Sequence, residues 1–318
     1  MRIVVLALAL ASGVAQAQPE PEALALLRRI QQATERLAFS GTFVYQQGER
    51  TETSRITRFA GSGGMVEKLE VLDGAPREIV RTRDSIRCYL PDSQVVKVER
   101  RGDARGFPGV LPDDLGELTR HYAIRRDGRL RVAGLDCDLV LLAPRDQLRY
   151  GHRFCADTAS GMLLKARVED AQGQVIEQYT FTQIALGPVP RERVKPRYTA
   201  QGWKVEETDT APADLAAAGW QIESDLPGFR KIVEVRRTLR ESGSMGHVVY
   251  SDGLAAVSIF IEPATARGDA VRLGLSNLGA INIVTRSLSD HVITVVGETP
   301  AASVQRMANR IVYRQLPK

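Results

Sequence analysis

The side chains best suited to metal binding or acid–base chemistry are four histidines and one closely spaced pair of aspartates. The histidines are His121, His152, His247 and His291. They fall in four separate predicted elements, and none has Cys, Asp or Glu at the spacing of a metal-ligand set. Asp136 and Asp138 flank Cys137 and would share one face of a strand. A carboxylate pair is one interpretation, and two charges on a solvated face is the simpler one.

Sequence motifs for catalysis or nucleotide binding are absent. The chain has no H-E-x-x-H, G-x-S-x-G, S-x-x-K, Walker loop, G-x-G-x-x-G or C-x-x-C. We therefore predict no cofactor, no metal, no catalytic residue and no nucleic-acid partner. An exported hydrolase whose site assembles only in space is the alternative, and a turnover assay with ester and peptide substrates would reveal it.

Three cysteines allow one disulfide. Two apolar runs, 135–143 and 150–156, flank a polar turn and predict a hairpin. A turn centred near Asp146 places Cys137 opposite Cys155, with Cα atoms about 4.5–5.5 Å apart, which is within disulfide range. We predict this bridge, and Cys88 is left as a buried free thiol.

That hairpin belongs to a longer run of short strands joined by tight turns. Strands predicted at 162–169 and 174–184 follow it, and each is bounded by Gly, Pro, Asp or Ser. The run 164–169 alternates apolar and charged residues, as in a sheet that buries one face and exposes the other to solvent. The organising element is an antiparallel meander.

The N-terminus has the pattern of a signal peptide over residues 1–17. Arg2 precedes the apolar run Ile3–Leu10, and Ala15-Gln16-Ala17 is a typical cleavage site. The apolar run is too short to span about 30 Å of hydrocarbon. We expect an exported protein that begins near Gln18. Its net charge is +4, because removal of Arg2 subtracts one from +5.

About 300 residues predict two domains. The first, 18–187, has an amphipathic helix over Pro21–Leu37, several short strands, a helix at Leu115–His121 and the meander. The second, 213–318, has two hairpins and a final helix, with Thr299 as its cap and Ile311 among its buried residues. Both domains are α+β.

A Pro-rich segment, 188–212, lies between the domains as a linker or a crossing strand. Its basic residues are the candidate partner contacts: Arg191, Arg193, Lys195 and Arg197. A solvated linker without a partner is the alternative.

The first domain has few helices for so much sheet, which predicts an apolar groove able to hold acyl chains or an apolar peptide. The candidate groove residues are Phe43, Tyr45, Met65, Leu69 and Val71. An ordinary buried core is the alternative for each of them.

Several short motifs resemble those of the MucB/RseB family of periplasmic negative regulators of the sigma-E (AlgU-type) stress response. They are Ser40–Tyr45, Tyr89–Asp92, Arg131–Gly134, Pro144–Gln147 with Arg149–Gly151, Asp157–Gly161, Leu164-Lys165, Phe181–Gln183 and Val249–Leu254. The resemblance runs in order from about residue 20 to the C-terminus. The cysteine pair is not part of this resemblance, and its prediction depends on the hairpin geometry alone.

This resemblance implies a half-barrel sheet like that of lipoprotein carriers, with a lipid-accommodating cleft, and a small domain of a helix on a sheet. It implies binding to the periplasmic region of a membrane-spanning anti-sigma factor, which is thereby protected from proteolysis. In the family, the small domain and the inter-domain region carry much of that contact. Mislocalised lipopolysaccharide or lipoprotein acyl chains would release the partner. No catalytic residue is implied.

Two further expectations remain open. A periplasmic lipid or lipoprotein carrier is the alternative function, although a carrier needs only the groove and not the second domain. Paired concave apolar domains often self-associate, so a homodimer is a mild expectation.

Overall fold

The fold contains three α-helices and twenty strands within the part of the chain that the computed structural model describes, residues 21–100, 111–239, 243–266 and 272–314. The predicted signal peptide lies outside these residues. The helices are α1 (Pro21–Arg36), α2 (Leu115–His121) and α3 (Ala301–Asn309). The apolar face of α1, with Leu26, Leu27 and Ile30, is buried as its periodicity predicts.

The strands of the first domain are β1 (Phe39–Gln47), β2 (Arg50–Gly61), β3 (Gly64–Val71), β4 (Glu78–Arg81), β5 (Ser85–Leu90), β6 (Val95–Arg100), β7 (Tyr122–Val132), β8 (Leu135–Pro144), β9 (Gly151–Asp157), β10 (Leu163–Glu169) and β11 (Val175–Leu186). The remaining strands are β12 (Lys204–Pro212), β13 (Trp220–Ile222), β14 (Arg230–Leu239), β15 (Gly243–Ser251), β16 (Ala256–Pro263), β17 (Gly274–Leu278), β18 (Ile281–Leu288), β19 (His291–Gly297) and β20 (Ile311–Tyr313). The predicted meander corresponds to β8–β11.

Eighteen of these strands form one continuous series of hydrogen-bonded neighbours, in the order 7-8-9-10-11-1-2-3-4-5-6-12-14-15-16-19-18-17. All neighbours are antiparallel except β6 and β12. Strand β12 pairs with β6 on one side and β14 on the other, so it joins the sheets of the two domains. Strands β7 and β17 stand at the two ends.

Each half of this series has its own core. The first core packs α1 and α2 against β1, β2 and β7–β11, with Phe39, Phe154 and Phe181 at its centre. The second packs α3 against β15, β16 and β19, and includes Trp220 and Phe229. The α+β fold class predicted from the sequence is confirmed.

Two details of the last helix differ from the prediction. Pro300, not Thr299, occupies the cap position, and its side chain has no hydrogen-bonding group to offer the helix. Ile311 is buried, but the helix ends at Asn309 and Ile311 begins β20, which pairs with β13. The sequence alone places Ile311 in the helix, because its spacing from Met307 and Ala308 also fits a helical face.

The disulfide between Cys137 and Cys155 is present, with Cα atoms 5.4 Å apart. The predicted register was wrong, because Cys137 lies opposite Asp157 and Cys155 lies opposite Leu139. The bridge therefore joins diagonal neighbours on one face, which are also within disulfide range.

Candidate functional site

The five predicted groove residues lie on one face of the sheet, which we call the inner face. Directly opposed residues of antiparallel strands point to the same side. Phe43 and Val71 both flank Ser54, and Leu69 lies opposite Ile56 in the next row. Tyr45 and Met65 have the same parity as these neighbours, on β1 and β3.

The groove residues differ in their burial. Phe43 is only 5% exposed, and its ring packs edge-on against Tyr179 and Phe181, with centroids 6.1 and 5.7 Å away. Phe43 therefore belongs to the core. The other four candidates are half-buried.

Tyr45 shows how a half-buried groove residue is placed. Burial raises the pKa of its phenol, and the nearby Glu177 carboxylate, which shares a hydrogen bond with it, raises the pKa further. The ring thus joins the core while its polar end reaches the edge of the inner face.

The inner face continues beyond these residues across β4 and β5. Leu69 lies opposite Ile79, and Ile79 lies opposite Cys88. All three side chains are half-buried, whereas the residues beneath α1 are fully buried. Cys88 is thus a free thiol on the apolar face, and burial raises its pKa. The prediction that acyl chains bind this face stays a prediction.

A charged row, which the sequence analysis missed, crosses the inner face. Glu67 accepts hydrogen bonds from Arg58 Nη2 and Arg81 Nη1, each at 2.6 Å. Arg58 is fully buried, donates to the carbonyl of Thr34 near the end of α1, and stacks on Phe39. Burial lowers the pKa of Arg58, and Glu67 opposes that shift. Arg58 and Glu67 are equidistant from the β2–β3 turn, so hairpin arithmetic could have found this pair.

The opposite, outer face of β4–β6 is covered by residues 189–203, which we call the strap. Its Tyr198, Ala200 and Trp203 pack against Val80 and the neighbouring apolar residues of β5 and β6. Val194 is 3% exposed. The segment therefore packs against the sheet instead of crossing solvent freely.

The four predicted partner contacts are exposed side chains on the strap. Arg191 lies over the Phe59 ring, 5.8 Å from its centroid, and Arg193 Nη2 donates to Ser40 Oγ at 3.1 Å. Lys195 is 3.9 Å from Glu192. The backbone N–H of Arg197 donates to Glu78, whose pKa is raised by burial. The structure brings the four together, and their contact with a partner stays a prediction.

The two domains meet at a buried ion pair, which we call the seam. Arg149 Nη1 donates to Asp252 Oδ2 at 2.7 Å, and the two side chains are 0% and 1% exposed. Tyr122 Oη donates to the same oxygen at 3.1 Å, and Arg149 Nη2 donates to the carbonyl of Pro227 at 2.6 Å. The guanidinium also lies over Tyr122 and Phe229, 5.7 and 5.3 Å from the ring centroids.

Neighbouring residues add hydrogen bonds and close packing around the seam. Asn282 Nδ2 donates to Tyr150 Oη, and Ser303 Oγ donates to the carbonyl of Leu148. Gly228 has φ +80°, and a Cβ there would lie 2.1 Å from His121 Nε2, so only glycine fits. Arg149 and Asp252 each lie in a stretch that carried the family resemblance, but their contact was not predicted.

The aspartate pair considered as a carboxylate site is not one. Asp138 is 7% exposed and accepts hydrogen bonds from Arg126 at 2.9 Å and Arg129 at 2.8 Å, whereas Asp136 is exposed and lies opposite Arg131. Within the described part of the chain, no group of three or more His, Cys, Asp or Glu side chains could hold a metal ion. None of the helices that the structure describes is long and apolar enough to cross a membrane.

Comparisons with known proteins identify the family. Sequence models of the MucB/RseB N-terminal and C-terminal domains match residues 22–199 and 214–312. "Sigma factor AlgU regulatory protein MucB" of Pseudomonas aeruginosa is 32% identical over 89% of this chain and 88% of its own length. "Sigma-E factor regulatory protein RseB" of Escherichia coli K12 is 24% identical over 91% and 90%.

Solved structures agree with the sequence comparisons. The crystal structure of MucB in complex with MucA(peri) has a TM-score of 0.70 and 28% identity, covering 92% of this chain and all of that one. The Pseudomonas aeruginosa MucA/MucB complex has a TM-score of 0.71 and 28% identity, covering 93% of this chain and all of that one. The chain belongs to the MucB/RseB family.

Proposed function

We propose that this chain is a periplasmic regulator that binds the periplasmic region of a membrane-spanning anti-sigma factor. It protects that region from proteolysis and releases it when mislocalised lipopolysaccharide or lipoprotein acyl chains bind. The observation that carries the proposal is the match of both family domains along the chain, together with a relative of similar architecture solved with MucA(peri).

The inner face supports the lipid part of the proposal. Leu69, Ile79 and Cys88 form a row that none of the described helices buries completely, next to the core that contains Phe43. Transfer of acyl carbons from water to such a face is favourable by about 0.8 kcal/mol per buried CH₂. An acyl chain along this row would cross the boundary between α1 and the open part of the sheet.

The connections between the domains support coupling of the two ligands. A ligand shifts a protein between two states only as far as it binds them with different affinity. The seam and β12 fix how the domains are oriented, so a lipid that moves β3–β6 changes the surface offered to the partner. Domain orientation is thus the two-state element of the proposal.

The direct test is a protection experiment with the chain from Gln18 onward and the periplasmic region of its anti-sigma factor. We expect the regulator to slow cleavage of that region by the regulatory protease, and a lipopolysaccharide fragment to restore cleavage. Unchanged cleavage at saturating regulator would contradict the shielding role.

Cys88 provides an independent readout for the lipid. Acyl ligands should slow modification of Cys88 by a thiol reagent, because the thiol lies on the inner face. The disulfide leaves Cys88 as the free thiol among the described cysteines, so the reagent reports on one position. Equal rates with and without lipid would place the lipid elsewhere.

A lipid or lipoprotein carrier is the second candidate function, and the half-exposed inner face is the observation that favours it. Protection of Cys88 by lipid without any affinity for the anti-sigma region would support the carrier.

A further inference from the structure

Strand β17 ends the eighteen-strand series and has one pairing partner, β18, among the described residues. Its residues are all exposed, and it contains neither a charge nor a proline. Natural edge strands usually carry charged residues or prolines, which prevent pairing with another chain. Leucines here are well exposed, at 61% for Leu273, 49% for Leu275 and 44% for Leu278. The edge is thus open to strand addition.

An apolar groove lies beside this edge, on the α3 side of the sheet. Leu275 lies opposite Val284, and the same register places Leu273 opposite Arg286. Gln305 and Asn309 of α3 form the other wall, and the groove has a volume of about 660 Å³. The sheet extends past α3, so the apolar side chains of β17 are left uncovered.

One cation lines the groove without a carboxylate partner. Arg286 donates through Nη2 to the carbonyl of Ile311, but its Nε is buried with no hydrogen-bond partner. The described residues contain no acidic side chain in an ion pair with it. A half-buried guanidinium such as that of Arg286 is stabilised by a carboxylate, which can accept two of its hydrogen bonds. The groove therefore favours a ligand that is apolar and carries an acidic group.

We propose that β17 and this groove bind an extended segment of the anti-sigma factor's periplasmic region by strand addition. The segment would place apolar side chains against Leu273 and Leu275 and an Asp or Glu at Arg286. This inference rests on the proposed function, because it takes the partner from there.

Strand β17 ends beside a contact between the two domains, and this position supports the anti-sigma segment as its ligand. Gly279, directly after β17, meets Gln47 at the end of β1 so closely that a Cβ would lie 2.0 Å from Gln47 Cγ. A segment paired with β17 would therefore adjoin the first domain, and a change in domain orientation would alter its binding. Lipid on the inner face could then release a partner on the other domain.

The test compares two lysine substitutions at positions of equal exposure. Leu273→Lys places a charge on the proposed edge, and Ile232→Lys is the control on β14, since both side chains are 61% exposed. We expect Leu273→Lys to weaken binding of the anti-sigma region about tenfold or more and Ile232→Lys to leave it nearly unchanged. Arg286→Gln should weaken binding and reduce its salt dependence.

Hydrogen exchange on the unsubstituted chain gives a second readout that does not depend on any variant. The partner should slow exchange of the amides in 274–278. Tight binding with unprotected β17 amides and an unaffected Leu273→Lys variant would overturn this inference while the proposed function stands. No binding by the unsubstituted chain would remove the function as well. If the β17 amides are protected from exchange only when the chain dimerises at high concentration, the inference is overturned. The strand would then pair with a second copy of the chain.

Discussion

The carboxylate of Asp252 holds the seam together at the residue scale. Its Oδ2 accepts from Arg149 and Tyr122 of the first domain, and its Oδ1 accepts the backbone N–H groups of Leu254 and Ala255. A buried charge is tolerated only when it is paired and its hydrogen bonds are made. Asp252 thus fixes its own turn and the facing domain at once.

Asp252→Asn should destabilise the protein strongly, because it removes the buried counter-charge of the fully buried Arg149 and leaves it only the partly exposed Asp146, 3.1 Å from its Nε. Loss of one partner of a buried pair costs about 3–5 kcal/mol, measurable by denaturant unfolding. Asp225→Asn is the control, because Asp225 pairs with Arg306 at the surface, and it should change stability little. Equal effects of the two substitutions would contradict this account of the seam.

His152 makes the same region sensitive to acid. Burial lowers its pKa to about 4, and Asp252 only partly opposes that shift. As the pH falls below about 6.5, the unfolded chain takes up this proton first, so stability declines from there to about pH 4.

As the pH is lowered through that window, the free energy of unfolding should therefore fall less steeply in His152→Gln than in the unsubstituted chain. His247, whose pKa is also lowered to about 4 by burial, adds to the same decline, so the double variant should be the least sensitive. Identical slopes in all three proteins would rule out this role of the histidines.

At the scale of elements, the strap combines a buried underside with a basic outer surface. Val194, Tyr198 and Trp203 hold it on the sheet, while the four predicted partner contacts face solvent. Exposed charges of this kind mainly affect association rate and its salt dependence.

Replacement of Arg191, Arg193, Lys195 and Arg197 by glutamine should slow association with the anti-sigma region at low salt, with little loss of stability. Stopped-flow kinetics at two ionic strengths would measure the effect. A matched control replaces by glutamine four exposed arginines that lie outside the strap: Arg28, Arg50, Arg55 and Arg83. An association rate lowered equally by both sets would indicate a general charge effect.

The disulfide stabilises the β8–β9 hairpin from within. Closing an 18-residue separation predicts a contribution of about 3 kcal/mol. The double variant Cys137→Ala/Cys155→Ala should therefore unfold at lower denaturant concentration, whereas Cys88→Ala should not. Equal stability of the double variant and the unsubstituted chain would show that the hairpin does not need the bridge.

The elements predicted well from the sequence are those with a clear period and clear ends. Helix α1, helix α2 and the strands of the meander belong to this group. Strand β7 was missed because it is rich in arginine, and those charges are satisfied by cross-strand partners such as Asp138. Strand β17 was missed because it is an exposed edge without alternation. The seam joins Arg149 and Asp252 across 103 residues, and no local pattern reports such a contact.

At the scale of the whole molecule, the series of strands runs from one domain into the other through β12. The inner face lies in one half of this series and the open edge β17 in the other. The seam and the contact between Gly279 and Gln47 link the halves, as do the ion pairs of Arg230 with Glu117 and of Arg237 with Glu99. The proposed lipid on the inner face and the proposed partner on β17 would therefore influence each other without touching.

The most direct test of this coupling is the affinity of the chain from Gln18 onward for the anti-sigma region, measured with and without a saturating lipopolysaccharide fragment. We predict tight binding that weakens with the lipid, and an equal weakening of lipid binding by the partner, because coupling is reciprocal. Tight partner binding that the lipid leaves unchanged would contradict the account.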